Sequence, residues 1–381
     1  MKYLHISASS LLLVIVLLAF SCKEKQLPKK VSQDVMEKIY EQIKTPYKYG
    51  LVLAPEDQSK KIDCPTVFQK DGKWFMTYFI FDGRGYETWL AESDNLLDWS
   101  IKGRVMAFSD STDWDANQKA GYPSLQDPKF GGSYALNKFD GKYWMPYFGG
   151  SSTGYESGLL AIGMAHTNQD PSTAHLWNRL EEPIFKPTDE GARWWENGTI
   201  YKTWVLQDDD KTTGYPFVMY YNARGDSINP KRGAERIGMA VSNDMVHWDR
   251  FGKEPIINHH KGISGDAVIQ KIDDVWVMFY FGAFWPTRKD HDAFNRFACS
   301  YDLVNWTEWE GKDLIAPSEP YDNWFAHKSY VIKHEGVVYH FYCATNRDQQ
   351  RGIAVATSSD LGKSEIEYYE DPLKESSIPK K

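Results

Sequence analysis

The chain has 381 residues, 44 Lys and Arg against 52 Asp and Glu, and a net charge of −8. No Lys/Arg patch supplies the phosphate-neutralising footprint of a nucleic-acid binder, so that class is excluded, and the acidic balance speaks to solubility rather than fold. Aromatic residues make up 15%, with 15 Trp and 23 Tyr, which suits flat core contacts or a surface where rings stack on sugars. The length allows one large domain or two ordinary ones.

Lys2 and His5 precede the apolar run Leu11 to Phe20, too short to span a bilayer and right for the hydrophobic part of a signal peptide. The run ends in Ser21-Cys22, a small residue before Cys, which resembles a bacterial lipoprotein cleavage site. The expectation is a leader over 1–22, a lipid on Cys22 and an outer-membrane anchor, periplasmic or at the cell surface. An ordinary secretory signal with an incidental Cys is the alternative. Residues 23–48 read as a solvated tether followed by an amphipathic helix within Val31 to Lys44. Cys64, Cys299 and Cys343 remain, an odd number with no CxxC pair, so neither a full disulfide framework nor a zinc ribbon is expected.

From Tyr49 onward the chain repeats itself. SDNLLDW (93–99), SNDMVHW (242–248) and SYDLVNW (300–306) are three copies of one phrase. Each follows a polar turn and a run of alternating aromatic and aliphatic residues, such as DGKWFMTYFIF, YPFVMYYNAR and DDVWVMFYFGAF. Each run is followed by a second apolar strand, such as TWLAES, RIGMAVS and RFACS. DGKYWMPYFGG and EGVVYHFYCAT add two further units. Strand-rich units at a fixed period predict a β-propeller. The expected fold is all-β: five four-stranded antiparallel blades over 49–364, a short N-terminal helix and a C-terminal tail over 365–381. The repeated phrase is the turn into each outer strand. Its Asp caps the turn, and Trp99, Trp248 and Trp306 pack between blades. The fifth copy, SSDLGKS, lacks the Trp. Either that blade is irregular, or a segment such as YGLVLAP supplies its outer strand.

Upstream in each unit, Asp63, Asp127, Glu196, Asp266 and His327 open a strand, at intervals of 64, 69, 70 and 61 residues. Inner strands of a propeller line its channel, so these five side chains are expected to converge at one mouth. Carboxylates gathered there repel one another and raise at least one pKa, which calls for a functional account.

Asp63 in IDCP, Asp127 in QDPKF and Glu196 in WWENGTIYK resemble the three acidic positions of glycoside hydrolase family 43, over roughly Tyr49 to Gly362. The resemblance implies an inverting glycosidase acting on terminal sugars, with Asp63 as general base, Asp127 tuning the acid, and Glu196 as general acid. Inverting carboxyl groups sit about 6.5–9.5 Å apart, with room for water between them. Trp195 beside Glu196 would hold its pKa up. The resemblance also places His327 near the axis, beside a calcium in some members, so a structural calcium is expected as an option rather than a requirement. Lys328, Lys129 and Arg224 are candidates to bind sugar hydroxyls or pair with the acids. Trp195, Trp285 and Trp324 are candidates for a stacking platform. Asp266 departs from the family 43 pattern and is assigned to substrate binding. The expected partner is an oligo- or polysaccharide and the expected state a monomer.

Two other readings stay open. QDPKF and GDAV are similar to motifs of the family 130 phosphorylases and mannosidases, although Lys129 stands where that family has Arg. A non-catalytic glycan-binding lipoprotein on the same scaffold is the second.

Overall fold

The computed structural model describes residues 28–110, 112–225, 234–288 and 292–369. Cys22 and the leader lie outside the described residues. Helix α1 (Gln33–Ile43) buries Met36, Ile39 and Ile43, spaced to share one face. It packs on the outside of the ring, where Tyr40 stacks on Trp309 at 5.3 Å.

Strand β1 (Tyr47–Leu53) is set aside for ring closure. Blade 1 holds β2 (Lys61–Lys70), β3 (Lys73–Phe81), β4 (Tyr86–Ser93) and β5 (Ser100–Met106). Blade 2 holds β6 (Gln118–Gly121), β7 (Tyr143–Gly150), β8 (Ala161–Thr167) and β9 (Asn178–Arg179). Blade 3 holds β10 (Thr199–Gln207), β11 (Phe217–Arg224), β12 (Glu235–Ser242) and β13 (Trp248–Arg250). Blade 4 holds β14 (Ile263–Ile272), β15 (Val275–Ala283), β16 (Ala293–Ser300) and β17 (Thr307–Glu308). Blade 5 holds β18 (Phe325–His334), β19 (Val337–Thr345) and β20 (Arg351–Thr357). Its fourth strand is β1, paired antiparallel to β20 from Tyr47↔Thr357 to Leu53↔Ile353. The chain thus closes its ring with an N-terminal strand from the YGLVLAP region. Each blade is antiparallel, and single parallel pairings such as Glu235↔Ile263 and Ala293↔Phe325 join neighbours.

Local chemistry accounts for the repeat. The hairpins after β2 and β18 turn on Asp71-Gly72 and Glu335-Gly336, all with positive φ, as two-residue turns require. In the repeated phrase, Asp244 Oδ1 accepts from Val246 N (3.0 Å) and His247 N (2.8 Å). Asp302 does the same for Val304 and Asn305, and Asn95 for Leu97 and Asp98. The following residue, Leu96, Met245 or Leu303, takes positive φ. Each Trp donates its ring N–H to that residue's carbonyl, at 2.9–3.1 Å. Trp99 meets Phe341 of blade 5 edge-on at 6.0 Å, and Trp306 meets Tyr220 of blade 3 at 5.9 Å.

Candidate active site

Four of the five inner strands break register at one level. The shifts fall between Asp63 and Thr66, Tyr201 and Thr203, Gly265 and Val268, and His327 and Tyr330. The residue entering each bulge takes positive φ: Cys64 (48°), Lys202 (48°), Asp266 (55°) and Lys328 (62°). A bulge re-aims side chains, and here it turns them into the mouth of the channel. The equivalent pairs are therefore Asp63-Cys64, Tyr201-Lys202, Gly265-Asp266 and His327-Lys328. This corrects the sequence alignment of the five anchors. Asp63 and His327 share a register position and Asp266 lies one step on. Glu196 and Asp127 are not in the set.

Asp63 is fully buried. Its Oδ2 accepts from Lys328 Nζ (2.8 Å), Arg351 (2.8 Å) and the Tyr86 hydroxyl (3.1 Å). Burial pushes its pKa up, but Lys328, Arg351 and Lys202 outweigh that and hold it well below the carboxylate range. Asp266 accepts from Asn222 at 2.7 Å and lies 3.5 Å from Lys202. His327 is buried, with Nδ1 3.1 Å from Cys343 O, and burial together with Lys328 and Arg351 keeps its imidazole neutral. Cys64 and Cys343 are buried free thiols, as is Cys299.

Two glutamates that the repeat alignment did not flag complete the mouth. Glu156, in the connection between β7 and β8, lies 3.1 Å from Lys202 Nζ. Burial alone would raise its pKa, but Lys202 and Lys328 pull it below the usual value. Glu235 opens β12, lies 3.7 Å from Arg224 and is buried. Its burial and the nearby Glu156 charge raise its pKa. One carboxyl is thus biased toward its proton and its neighbour toward the charge. A signal for Glu235 was present in the sequence. The third strands of blades 1, 3 and 5 open with Tyr86, Glu235 and Arg351, and all three reach this mouth. Glu156 sits in an irregular connection that no periodicity marks.

The other candidates lie elsewhere. Glu196 is fully buried on the flank of blade 3, bonded by Arg193 (2.8 Å), Arg250 (2.6 Å) and Tyr221 (2.5 Å). Burial would raise its pKa, but Arg193 and Tyr221 hold it down, the opposite of what a proton donor needs. Asp127 belongs to a segment that crosses the far end of the channel. There Gln126 bonds Val67 O (2.7 Å), and Phe130 N bonds Lys271 O (3.0 Å). Val67 is four residues along β2 from Asp63, roughly 13 Å at 3.3 Å per residue. Asp127 caps its own turn through Ser133 N (2.9 Å) and Lys129 N (3.1 Å), and Lys129 is exposed at that end.

Trp195 is enclosed between Arg193 and Tyr221, and Trp285 is buried under His259 at 3.6 Å, so neither ring is free to stack on a sugar. Trp324 is half-buried against Phe325. Among the described residues the exposed aromatic rings are those of Tyr47, Tyr155, Trp194, Phe284 and Tyr369. The residues do not fit a calcium at His327. The ammonium groups of Lys202 and Lys328 and the Arg351 guanidinium already neutralise Asp63, Asp266 and Glu156, and a hard cation needs those oxygens free.

No protein-family model matches the chain. A solved structure of a BT0996 complex with RGII is 55% identical, with a TM-score of 0.86, covering 90% of this protein and 99% of that one. A second, described as "Glycoside hydrolase", is 54% identical with a TM-score of 0.86 and the same coverage. Family 43 and family 130 enzymes, each 14% identical with TM-scores of 0.54 and 0.56, share the fold. A stretch of 145 residues is 28% identical to 1,2-beta-oligomannan phosphorylase of Thermoanaerobacter sp. (strain X514), covering 36% of this chain and 45% of that protein. The chain thus spans less than half the length of that curated relative. With near-complete coverage at more than half identity on a five-bladed ring, the chain belongs to the β-propeller glycoside hydrolases.

Proposed function

We propose that this chain hydrolyses a terminal glycosidic bond, with Glu235 as general acid and Glu156 as the ionised carboxylate. The observation that carries this is the contrast in the surroundings of two carboxyls at one mouth: Glu156 lies 3.1 Å from Lys202 Nζ, whereas Glu235 is buried at the start of β12. Burial and Glu156 favour the proton on Glu235, while Lys202 and Lys328 favour the charge on Glu156. Pairs of carboxyls pushed apart in this way divide into acid and base. Glu235 gives its proton to the glycosidic oxygen, and the bond from that oxygen to the anomeric carbon breaks with its electron pair leaving on the oxygen. Glu156 takes a proton from water, whose oxygen bonds to the anomeric carbon from the opposite face. The product anomer is then inverted. Asp63, whose Oδ2 already takes three donors and whose Oδ1 takes Cys64 N and the Cys343 thiol, positions Lys328 and Arg351 rather than reacting. Asp266, Arg224, His327 and Lys328 are assigned to the substrate-facing wall.

The substrate class is a glycan of the kind named for the 55%-identical relative, RGII. Cys22 is proposed to carry a lipid that anchors the enzyme at the outer membrane. A Cys22→Ser protein found still in the membrane fraction would refute that.

The deciding experiment measures sugar release from RGII, plant oligosaccharides and aryl glycosides. Wild type runs beside Glu156→Gln and Glu235→Gln, with the product anomer read by NMR, with and without inorganic phosphate. Phosphate-independent release with inversion, lost in both variants, supports the proposal. Turnover that requires phosphate replaces it with phosphorolysis. Retained anomeric configuration makes Glu156 a nucleophile, and full activity in either variant removes that residue's role.

A further inference from the structure

Glu156 takes φ +46°, in the left-handed region that non-glycine residues adopt at a cost. Its connection is anchored at the near end, where Asn117 Nδ2 bonds Ser151 O (2.6 Å), Gln118 Nε2 bonds Gly154 O (2.6 Å) and Gly154 N bonds Arg84 O (2.8 Å). Beyond Gly154 the connection turns inward at Tyr155 and Glu156, and again at the buried Leu160, whose carbonyl accepts from Ile200 N at 3.3 Å. The Tyr155 ring is 38% exposed but rests edge-on against Phe81 (5.6 Å) and Tyr86 (5.7 Å) of blade 1. Its hydroxyl accepts from Arg351 of blade 5 at 2.6 Å. The same guanidinium nitrogen reaches Asp63 Oδ2 at 2.8 Å, while Arg351 Nε bonds Thr345 Oγ1 at 3.2 Å. A loop of blade 2 is therefore tied across blade 1 to the first residue of β20.

We propose that Tyr155 and Arg351 form a latch across the mouth that places the Glu156 carboxylate, making Tyr155 a positioning residue. This rests on the reading of Glu156 as a reacting carboxylate. Lys202 of β10 lies 3.1 Å from Glu156, and the charges of Lys328 of β18, Asp63 of β2 and Glu235 of β12 also act on it. Arg351 acts on it through Tyr155. One Arg351 nitrogen serves both Asp63 and Tyr155, while its Nε, held by Thr345, fixes the plane of the guanidinium. Ring closure has a catalytic consequence as well, because β20, which carries Arg351, is held on its outer side by β1.

Tyr155→Phe removes the hydroxyl and keeps the ring on Phe81 and Tyr86. The expected result is a kcat loss of at least about tenfold, approaching the roughly 10²-fold cost of an ångström-scale misplacement. KM and Tm should stay close to wild type. The acid limb of the pH–rate profile should move to higher pH, since a carboxylate drawn away from Lys202 ionises less readily. Arg351→Lys should move the limb the same way, and the double variant should be no worse than Arg351→Lys alone. Wild-type kcat and acid limb in folded Tyr155→Phe, or additive losses in the double variant, overturn the latch. A rise in KM alone also overturns it, as it would make Tyr155 a substrate contact. If Glu156→Gln is itself fully active, the reading of Glu156 fails instead, so the two failures are distinguishable.

Discussion

Glu196 and Arg250 meet at 2.6 Å on the flank of blade 3, with Arg193 and Tyr221 completing the cage around a carboxylate that water does not reach. Removing one partner of such a cluster leaves the others charged and buried. Glu196→Ala should lose about 3–5 kcal/mol of stability, while kcat per folded molecule stays within a few fold of wild type. Because the folded-state pKa of Glu196 is depressed, its contribution is present above the ordinary carboxylate pKa and fades as pH falls through the folded value. The Tm gap between wild type and variant should therefore be widest near neutrality and shrink in acid. A collapse of kcat at unchanged Tm would return Glu196 to the chemistry.

The pH–rate profile should be a bell whose limbs belong to different glutamates. Activity needs Glu156 ionised, and its pKa lies below the usual 4.5, so the acid limb falls only below that value. Activity also needs Glu235 protonated, and its pKa lies above 4.5, so the basic limb falls above it. In Glu235→Gln the basic limb should vanish, with a rate loss of about 10²–10⁴-fold on natural glycans. The loss should be smaller on aryl glycosides, whose leaving groups need little protonation. A basic limb that persists in Glu235→Gln would assign it to another group.

The ring was legible from the repeat because each blade reuses an inner strand and an aromatic middle strand, and blades 1, 3 and 4 add the Ser-x-Asp/Asn turn with its Trp. The mouth was half legible. Asp63, Asp266 and His327 lie on inner strands, which line the channel, although Asp266 stands one register step from the other two. Glu196 and Asp127 misled because a carboxylate a few residues from a strand start looks the same in sequence whether it precedes the bulge or lies outside the strand. The one-residue bulge that turns Lys202 and Asp266 into the mouth leaves no mark in hydrophobic periodicity. Glu156 reaches the site by a loop, and loops obey no period.

The Trp of the repeated turn makes a stability prediction. Trp248 is buried and donates to Met245 O at 2.9 Å, tying the turn to its own ring. Trp248→Ala should cost about 3–5 kcal/mol, as large aromatic deletions in cores do. Asp244→Ala removes the acceptor of two backbone N–H groups in the same turn, groups that water can still reach, and should cost about 1 kcal/mol. Equal losses from the two, measured by denaturant unfolding, would mean that the capping hydrogen bonds rather than the packing hold the turn.

Asp127 gives the cleanest separation between the sequence expectation and the geometry. As a modulator beside the acid, its loss would shift a limb of the pH–rate profile. As the cap of the segment that closes the far end of the channel, it acts on Ser133 and Lys129 and on nothing at the mouth. Asp127→Ala should lose about 1–3 kcal/mol, the range for hydrogen bonds to a charged acceptor. Both limbs of its pH–rate profile should coincide with wild type. The burial of Asp127 opposes its ionisation, but the backbone and hydroxyl of Ser133 overcome that and depress the carboxyl, so the stability it contributes fades as pH falls. Tm measured across the acid range should show wild type and variant converging there. A displaced basic limb at unchanged Tm would instead tie Asp127 to the proton donor across the length of the channel.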